Sequence, residues 1–356
     1  MVAQPHILIV GAGLIGLSTA DALMDKGAAV TLVDILPGPA QGTSFANSAM
    51  IHPSQSRPWG FKGDVNEVNA AFKATHDLAV RSKNLLQEKL LAWNLWQKSD
   101  VSGCYKIYSD MDAALAAQKN YSDDGIAANV VMHDLATLGH AALYFEADIW
   151  SNAYEYALRL SESLAERGAV FIYEAVDLRL RRQDSGVTAK FKDHIFKADH
   201  VIICAGPQSP ELLAQLDISL PLKRLRGFSV NFPRPDMDLP PAPLMDAQSH
   251  SALTIFKDHL RLSGTIDEED AKPLLRRWAV LAPAIFGALQ PATHLWTGQR
   301  PMSEAGRPYI SSTSIKGLWV NSGHGHMGWT LSAGSGQLMA DMILSGVQDS
   351  RYGFAG

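Results

Sequence analysis

Apolar residues fall into two arrangements along this chain: short unbroken runs, and longer stretches with an apolar residue every third or fourth position. Ile7–Val10 is an unbroken run rich in β-branched residues, the pattern of a parallel strand buried on both faces. From Leu14 to Met24 the spacing turns helical, with Leu14, Leu17, Ala20, Leu23 and Met24 on one side and Gly27 at the stop. Val30–Val33 predicts a second strand, ending in Asp34. The segment Leu36–Gly60, rich in Pro, Gly, Ser and Asn, reads as a long loop. Beyond it the pattern predicts a helical region over Val65–Trp96, a strand at Gly103–Tyr108 and mixed structure to Phe145. Ala153, Ala157, Leu160 and Leu164 mark a helix from Ser151 that ends at Gly168. Strand-like pieces follow at Ala169–Tyr173, Val176–Arg181, Val187–Phe191 and Val201–Cys204. Between Leu220 and Trp296, β-like runs alternate with prolines around one helix, Lys272–Leu281. Leu318–Asn321 is again a buried-strand run, leading through a loop rich in glycine and histidine into a helix over Leu331–Ser345. No internal repeat is apparent.

The junction of the first strand and first helix carries chemistry. Gly11-Ala12-Gly13-Leu14-Ile15-Gly16 has the spacing of a dinucleotide-binding turn. Gly11 allows the tight turn, Gly13 lets backbone approach a pyrophosphate, and Gly16 lets helix and strand pack closely. Phosphates would rest on the open N–H groups of the helix N-terminus. Asp34 is placed to accept hydrogen bonds from a ribose, and its charge disfavours a 2′-phosphate, so FAD or NAD is expected rather than NADP. The C-terminal loop Ser322–Thr330 repeats the strand, glycine turn and helix, so a second helix N-terminus can face a ligand. A discontinuous nucleotide domain interrupted by a substrate domain follows from that repetition.

Composition narrows the class. At 356 residues the chain is long enough for two domains, and its 47% hydrophobic and 19% charged content is that of a globular enzyme. A net charge of −5 without a basic run argues against nucleic acid as a partner. Two cysteines, Cys104 and Cys204, form neither a disulfide framework nor a metal pattern. With a first strand beginning by Ile7 and no apolar run of membrane-span length, a cytoplasmic protein is expected, with peripheral contact at the inner membrane left open.

Four segments resemble the D-amino acid oxidase (DAO) superfamily of FAD-dependent oxidoreductases, and within it most nearly the bacterial D-amino acid dehydrogenases of small-subunit type. They are the glycine fingerprint; Thr43–Ala49 with Arg57-Pro58-Trp59; Trp296–Met302; and Gly323–Thr330 with its helix. The resemblance implies an α/β (overall α+β) fold: a Rossmann-like FAD-binding domain of glutathione-reductase type, with an inserted substrate domain on a mainly antiparallel sheet. Residues 1–85, 145–215 and 297–356 would form the FAD domain, and 86–144 and 216–296 the substrate domain. It also implies FAD rather than NAD, and oxidative deamination of a D-amino acid or related amino or imino acid to a 2-oxo acid.

Site residues follow from the same resemblance. Gly11 to Gly16 would take the pyrophosphate, and Asp34, with Ile35 beside it, the adenosine ribose. Thr43, Ser44 and Asn47 would meet phosphates or ribityl chain, with Ala49 and Met50 at the isoalloxazine. Val176 matches a backbone position that meets adenine, and Ala205-Gly206 a second glycine loop. Gly325, Met327, Gly328, Trp329 and Thr330 would turn backbone donors to the flavin's pyrimidine end, where the reduced ring gathers negative charge. Arg300, in Gly-Gln-Arg-Pro, is the counterpart of the arginine that holds substrate carboxylate, a role suited to a forked, permanently charged guanidinium. His326 stands where the family loop tends to have a small residue; it and His52 are candidates for the substrate pocket. His324 fits a cap as well as a contact. Trp329, Met50 and Trp59 are expected to wall off the flavin, Arg226 to ion-pair with the protein itself, and Cys204 to be a small buried hydrophobe. No metal is expected. The electron acceptor stays open among oxygen, a quinone and a protein. Two other readings stand beside this one: the catalytic β subunit of a multi-subunit opine or D-hydroxyproline dehydrogenase, which would need partner chains, and a dinucleotide-binding scaffold without redox turnover.

Overall fold

His6–Val10 runs parallel between Ala29–Val33 and His200–Ile203, near the middle of a six-stranded sheet. In the computed structural model, which describes residues 4–96, 102–131, 141–184, 186–265 and 271–354, the order of that sheet is Tyr309–Ser312, Leu318–Ser322, His200–Ile203, His6–Val10, Ala29–Val33 and Val170–Ile172. Only the edge strand Tyr309–Ser312 is antiparallel. Both faces are covered, which is why these strands read as continuous apolar runs. Ile7, Ile9, Leu32 and Ile202 face a core with the helices Leu14–Asp25, Val65–Ala92, Ala153–Glu166 and Gly328–Ser345. Leu8, Val10, Val33, Val201 and Ile203 face a second core, shared with a three-stranded sheet of Arg179–Gln183, Gly186–Phe191 and His194–Phe196.

Helix starts follow local chemistry. Asp64 accepts from the Asn66 and Glu67 amides while Glu67 reaches back to the Asp64 amide, a complete capping box. Asn152 caps Ala153–Glu166 more simply, its side chain accepting from the Tyr154 and Glu155 amides. Three expectations need correction. The helix Leu14–Asp25 is buried around most of its circumference, including Ser18, Thr19 and Asp21, because Gly328–Ser345 and Ala153–Glu166 both pack on it. The helix expected from Leu331 already begins at Gly328. The strand expected over Val176–Arg181 begins at Arg179; Glu174 is left-handed at φ 57°, and the following turn carries Val176 outward to 70% exposure.

A second sheet has eight strands, in the order His294–Ser303, Leu222–Pro233, His259–Thr265, Ser251–Ile255, Leu244–Asp246, Cys104–Ile107, Ala142–Phe145 and Asn129–Val131. Its pairs are antiparallel except Leu244–Asp246 with Cys104–Ile107. One face packs Phe228, Val230, Leu253, Leu260 and Leu262 under Trp278 and Leu281 of the helix Lys272–Leu281. Because side chains alternate, directly paired residues share the opposite face. Trp296, Ser229, Ser263, Ala252, Met245 and Lys106 form one such row, and Asn231, Arg261 and Thr254 another. This second face meets the first unit's loop: Thr254 Oγ1 donates to the Ser48 carbonyl at 2.7 Å, and Arg261 Nη1 to the Asn47 carbonyl at 3.4 Å. The boundaries expected at 85/86, 144/145 and 296/297 each fall inside an element, within Val65–Ala92, Ala142–Phe145 and His294–Ser303. Leu86 and Leu90 carry the buried stripe past residue 85, so nothing breaks the helix there. Among the described residues no helix is long and apolar enough to cross a membrane.

Candidate active site

Gly11 sits at φ +111°, and a Cβ added there would lie 2.5 Å from the Cys204 carbonyl oxygen. A Cβ on Gly16 would lie 1.8 Å from the Gly11 carbonyl oxygen. Both contacts are with backbone, so the turn admits glycine alone. The helix opens at Leu14 without a cap from its own N-cap residue, Gly13; Ser44 Oγ accepts from the Leu14 amide at 3.2 Å. Asp34, half-buried at the end of its strand, accepts from the Ala12 amide at 2.6 Å and the Leu36 amide at 2.9 Å. Each carboxylate oxygen keeps lone-pair capacity for a further donor. Burial raises this carboxyl above its ordinary value, against the pull of the Leu36 and Ala12 amides. The turn beyond it closes when the Ala175 amide donates to the Asp34 carbonyl, which places the backbone of Val176 beside Asp34 and the exposed Ile35.

The loop after the second strand joins this cradle to the second sheet. Asn47 Oδ1 accepts from the Ala49 amide at 2.8 Å, holding Ala49 at φ 62° before Met50–Ile51 pairs with Ile149–Trp150. The Thr43 hydroxyl donates to the Gln299 carbonyl at 2.7 Å, next to Arg300, and keeps its acceptor lone pairs. Ala205-Gly206 begins a short turn whose Gly206 carbonyl accepts from Ser322 Oγ.

At the far end, Gly325–Met327 forms a single tight turn and Gly328–Ser345 starts behind it, again with no side-chain cap from its N-cap residue, Met327. Thr330 Oγ1 accepts from the His52 amide at 3.1 Å, tying the two loops together. His52 Nδ1 and His324 Nε2 are buried without a hydrogen-bond partner among the described residues. Burial lowers His52 to about 4 and His324 to about 3, so both rings are neutral. His326 Nε2 faces the Gln55 carbonyl at 3.0 Å, so that nitrogen bears the proton and Nδ1 is left as an acceptor. Burial, with Arg300 and the neighbouring His52 and His250 adding to it, holds this ring neutral against the Gln55 bond. Trp59 does not simply wall the site: its ring stacks on His326 at 3.8 Å and 3°, and lies 4.4 Å from His250 on its other contact. The Trp329 ring, expected against the flavin, packs instead in the core at 4.8 Å from Tyr156, leaving its backbone at the helix start.

Arg300 projects from His294–Ser303 on the face that carries Lys106, and donates to Thr265 Oγ1. Among the described residues it has no carboxylate partner. Burial lowers its pKa to about 10, leaving it a cation at neutral pH. The guanidinium has room because residue 227 on the neighbouring strand is glycine: a Cβ there would lie 3.3 Å from Arg300 Cζ. Arg226, expected in an ion pair, is exposed and has none among the described residues. Cys204 is buried, with its thiol pushed up to about 12 by that burial, and is no nucleophile. Sequence reasoning missed Gln55, Lys106, Tyr121 and His250, which come together from the turn Pro53–Gln55, the strand Cys104–Ile107, the helix Met111–Asp123 and the turn before Ser251.

The cradle, the open helix ends and the unpartnered buried imidazole nitrogens fit a flavin dinucleotide. The family model "FAD dependent oxidoreductase" (DAO) matches residues 6–342. The chain belongs to this family. This FAD-dependent oxidoreductase is 26% identical over 404 aligned residues to a D-amino acid dehydrogenase of Vibrio atlanticus (strain LGP32), covering 97% of each chain. It is 27% identical over 406 to one of Methylobacterium sp. (strain 4-46), covering 95% of each. Its fold is that of glycine oxidase from Bacillus cereus ATCC 14579 (TM-score 0.79, 22% identity, 97% of this chain and 96% of that one). Iminodiacetate oxidase from Chelativorans sp. BNC1 shares it too (TM-score 0.81, 19% identity, 98% and 99%).

Proposed function

We propose that this enzyme oxidises the C–N bond of a D-amino acid, or of a related amino or imino acid, giving a 2-oxo acid after hydrolysis. One observation carries the reading: Arg300 is a partly buried guanidinium with no carboxylate partner among the described residues, on the sheet face that meets the flavin-loop residues Asn47 and Ser48. A guanidinium in that setting calls for an external carboxylate, which it can bind through two parallel hydrogen bonds. The D-amino acid dehydrogenases among its relatives support the same substrate class.

Gly11–Leu14, Asp34, Ser44 and the backbone of Gly325–Thr330 would hold FAD, which when bound supplies a two-electron acceptor for the hydride on the substrate's Cα. Arg300 fixes the carboxylate and with it the direction of the Cα–H bond. The neutral imidazoles of His52, His324 and His326 add no competing positive charge, and His326 Nδ1 can accept a hydrogen bond from the substrate nitrogen. Trp59 and Met50 exclude water while the C–H bond breaks. Water then hydrolyses the released imine to the 2-oxo acid and an amine or ammonia.

The test is an anaerobic screen of amino acids against the yellow holoenzyme, followed by air. Bleaching by D-amino acids is the expected result, and return of colour in air would mark oxygen as acceptor. A holoenzyme bleached by no amino or imino acid would overturn the proposal.

A further inference from the structure

Arg300 is not the only cation on its face of the eight-stranded sheet. Lys106 shares that face, directly paired with Met245, and is half-buried. Its ammonium donates to Gln55 Oε1 and to Tyr121 Oη, each at 2.9 Å. Both partners are neutral, and the Tyr121 hydroxyl itself donates to Gln55 Oε1 at 3.1 Å. An ammonium has three N–H donors, so one remains beyond these two contacts.

The surrounding carboxylates are committed elsewhere. Asp246 receives Arg277 through two hydrogen bonds of 3.0 Å each. Asp124 is paired with Arg57. Asp148 is buried and held by the Ser54 hydroxyl at 2.6 Å. Among the described residues neither Lys106 nor Arg300 forms a salt bridge, although withdrawing a charge from water without a counter-charge is costly.

The surroundings of the two cations are joined by a chain of contacts. Gln55, which receives Lys106 on its side chain, receives His326 on its carbonyl, and His326 stacks on Trp59, which also contacts His250. His250 is held neutral by burial first and then by Lys106, with Arg300 adding to them against the opposing pull of Asp246. His250 thus lies within electrostatic reach of both positive groups.

We propose that the substrate carries a second carboxylate, received by Lys106 with Tyr121 behind it, while Arg300 holds the first. The substrate class is an amino or imino dicarboxylate. This rests on the function proposed above, because it takes Arg300 as the anchor of the first carboxylate. Lys106 acts as a specificity residue: it makes no bond in the reaction and selects for the charge at the far end of the substrate.

Two measurements on the holoenzyme test it. The first titrates succinate and butyrate, unreactive acids of equal chain length, while following the flavin absorbance. Succinate should bind at least about tenfold tighter than butyrate, and Lys106→Met should abolish the difference while leaving the butyrate Kd within about threefold. Lys106→Arg, which keeps the charge, should retain most of the preference. The second compares kcat/KM for D-glutamate and D-glutamine, nearly isosteric substrates that differ in charge. Wild type should favour D-glutamate by about tenfold or more, and Lys106→Met should bring the ratio near one through KM. Equal binding of succinate and butyrate by wild type would overturn the proposal. So would a Lys106→Met variant that weakens both acids alike, the mark of a merely structural lysine. Turnover of D-glutamine in preference to D-glutamate would sink the second carboxylate and leave amino-acid oxidation standing. A succinate preference with no amino or imino acid oxidised would instead remove the amino-acid reading and keep the two-anion site.

Discussion

The two sheets solve opposite problems with the same residue, glycine. In the six-stranded sheet, Gly11 and Gly16 stand where an added Cβ would strike backbone carbonyls, atoms that cannot move without dismantling the turn. In the eight-stranded sheet, Gly227 is less tightly enclosed: an added Cβ would lie 3.2 Å from the Gly264 carbonyl oxygen and 3.3 Å from the Arg300 guanidinium, the far end of a flexible side chain. The first sheet therefore builds its site from main-chain shape, and the second from side chains projecting off one face. A site made of backbone should fail all at once, and a site made of side chains should be adjustable one group at a time.

Gly11→Val tests the rigid half most severely. It combines a left-handed φ with a clash on the Cys204 carbonyl, and the expected outcome is colourless or insoluble protein, read from soluble yield and flavin content. Retained flavin would break the contrast at its root. Arg300→Leu should leave flavin content and spectrum intact and lower kcat/KM about thirty-fold to several thousand-fold, the range for losing one partner of a buried charged pair, roughly 2–5 kcal/mol. Arg300→Lys should recover part of that, since an ammonium lacks the fork. Asp34→Ala removes the carboxylate that accepts from the Ala12 amide of the glycine turn and should weaken FAD binding by about 1–3 kcal/mol in equilibrium dialysis. An unchanged Kd would take the ribose away from Asp34. Gly227→Ala should be mildest: a displaced guanidinium, a loss of about threefold to tenfold in kcat/KM carried by KM, and stability lowered by about 1 kcal/mol. Collapse of that variant would show the second sheet to be as brittle as the first.

The same contrast explains what could be read in advance. The fingerprint around Gly11–Gly16 was legible because strand, turn and helix are consecutive and the Gly16 contact with the Gly11 carbonyl is local, although the Cys204 carbonyl that also confines Gly11 comes from far along the chain. Arg300 was legible only through resemblance, since nothing in Gly-Gln-Arg-Pro says that a neighbouring strand leaves Gly227 open beside it. Lys106, Gln55, Tyr121 and His250 were not legible. Lys106 belongs to the four-residue strand Cys104–Ile107, and its place opposite Met245 is set by pairing with a segment well over a hundred residues later. The misplaced start at Val176 has a similar origin: apolarity argued for a buried strand, but the chain turns at Glu174 so that the Ala175 amide can reach Asp34. Tertiary demand overrode propensity there.

The strand order of the six-stranded sheet also dictates a timetable. His6–Val10 finds its partner on one side at Ala29–Val33, made almost at once, but on the other only at His200–Ile203, which in turn pairs with Leu318–Ser322. Gly328–Ser345 then packs along Leu14–Asp25 from the opposite end of the chain. The nucleotide cradle is thus encoded first and finished last during synthesis. Closing loops of this length before their contacts form is slow. Until Leu318–Ser322 and its helix emerge, the apolar edge of His200–Ile203 and one side of Leu14–Asp25 lack their cover, so the growing chain carries exposed apolar surface for most of its synthesis.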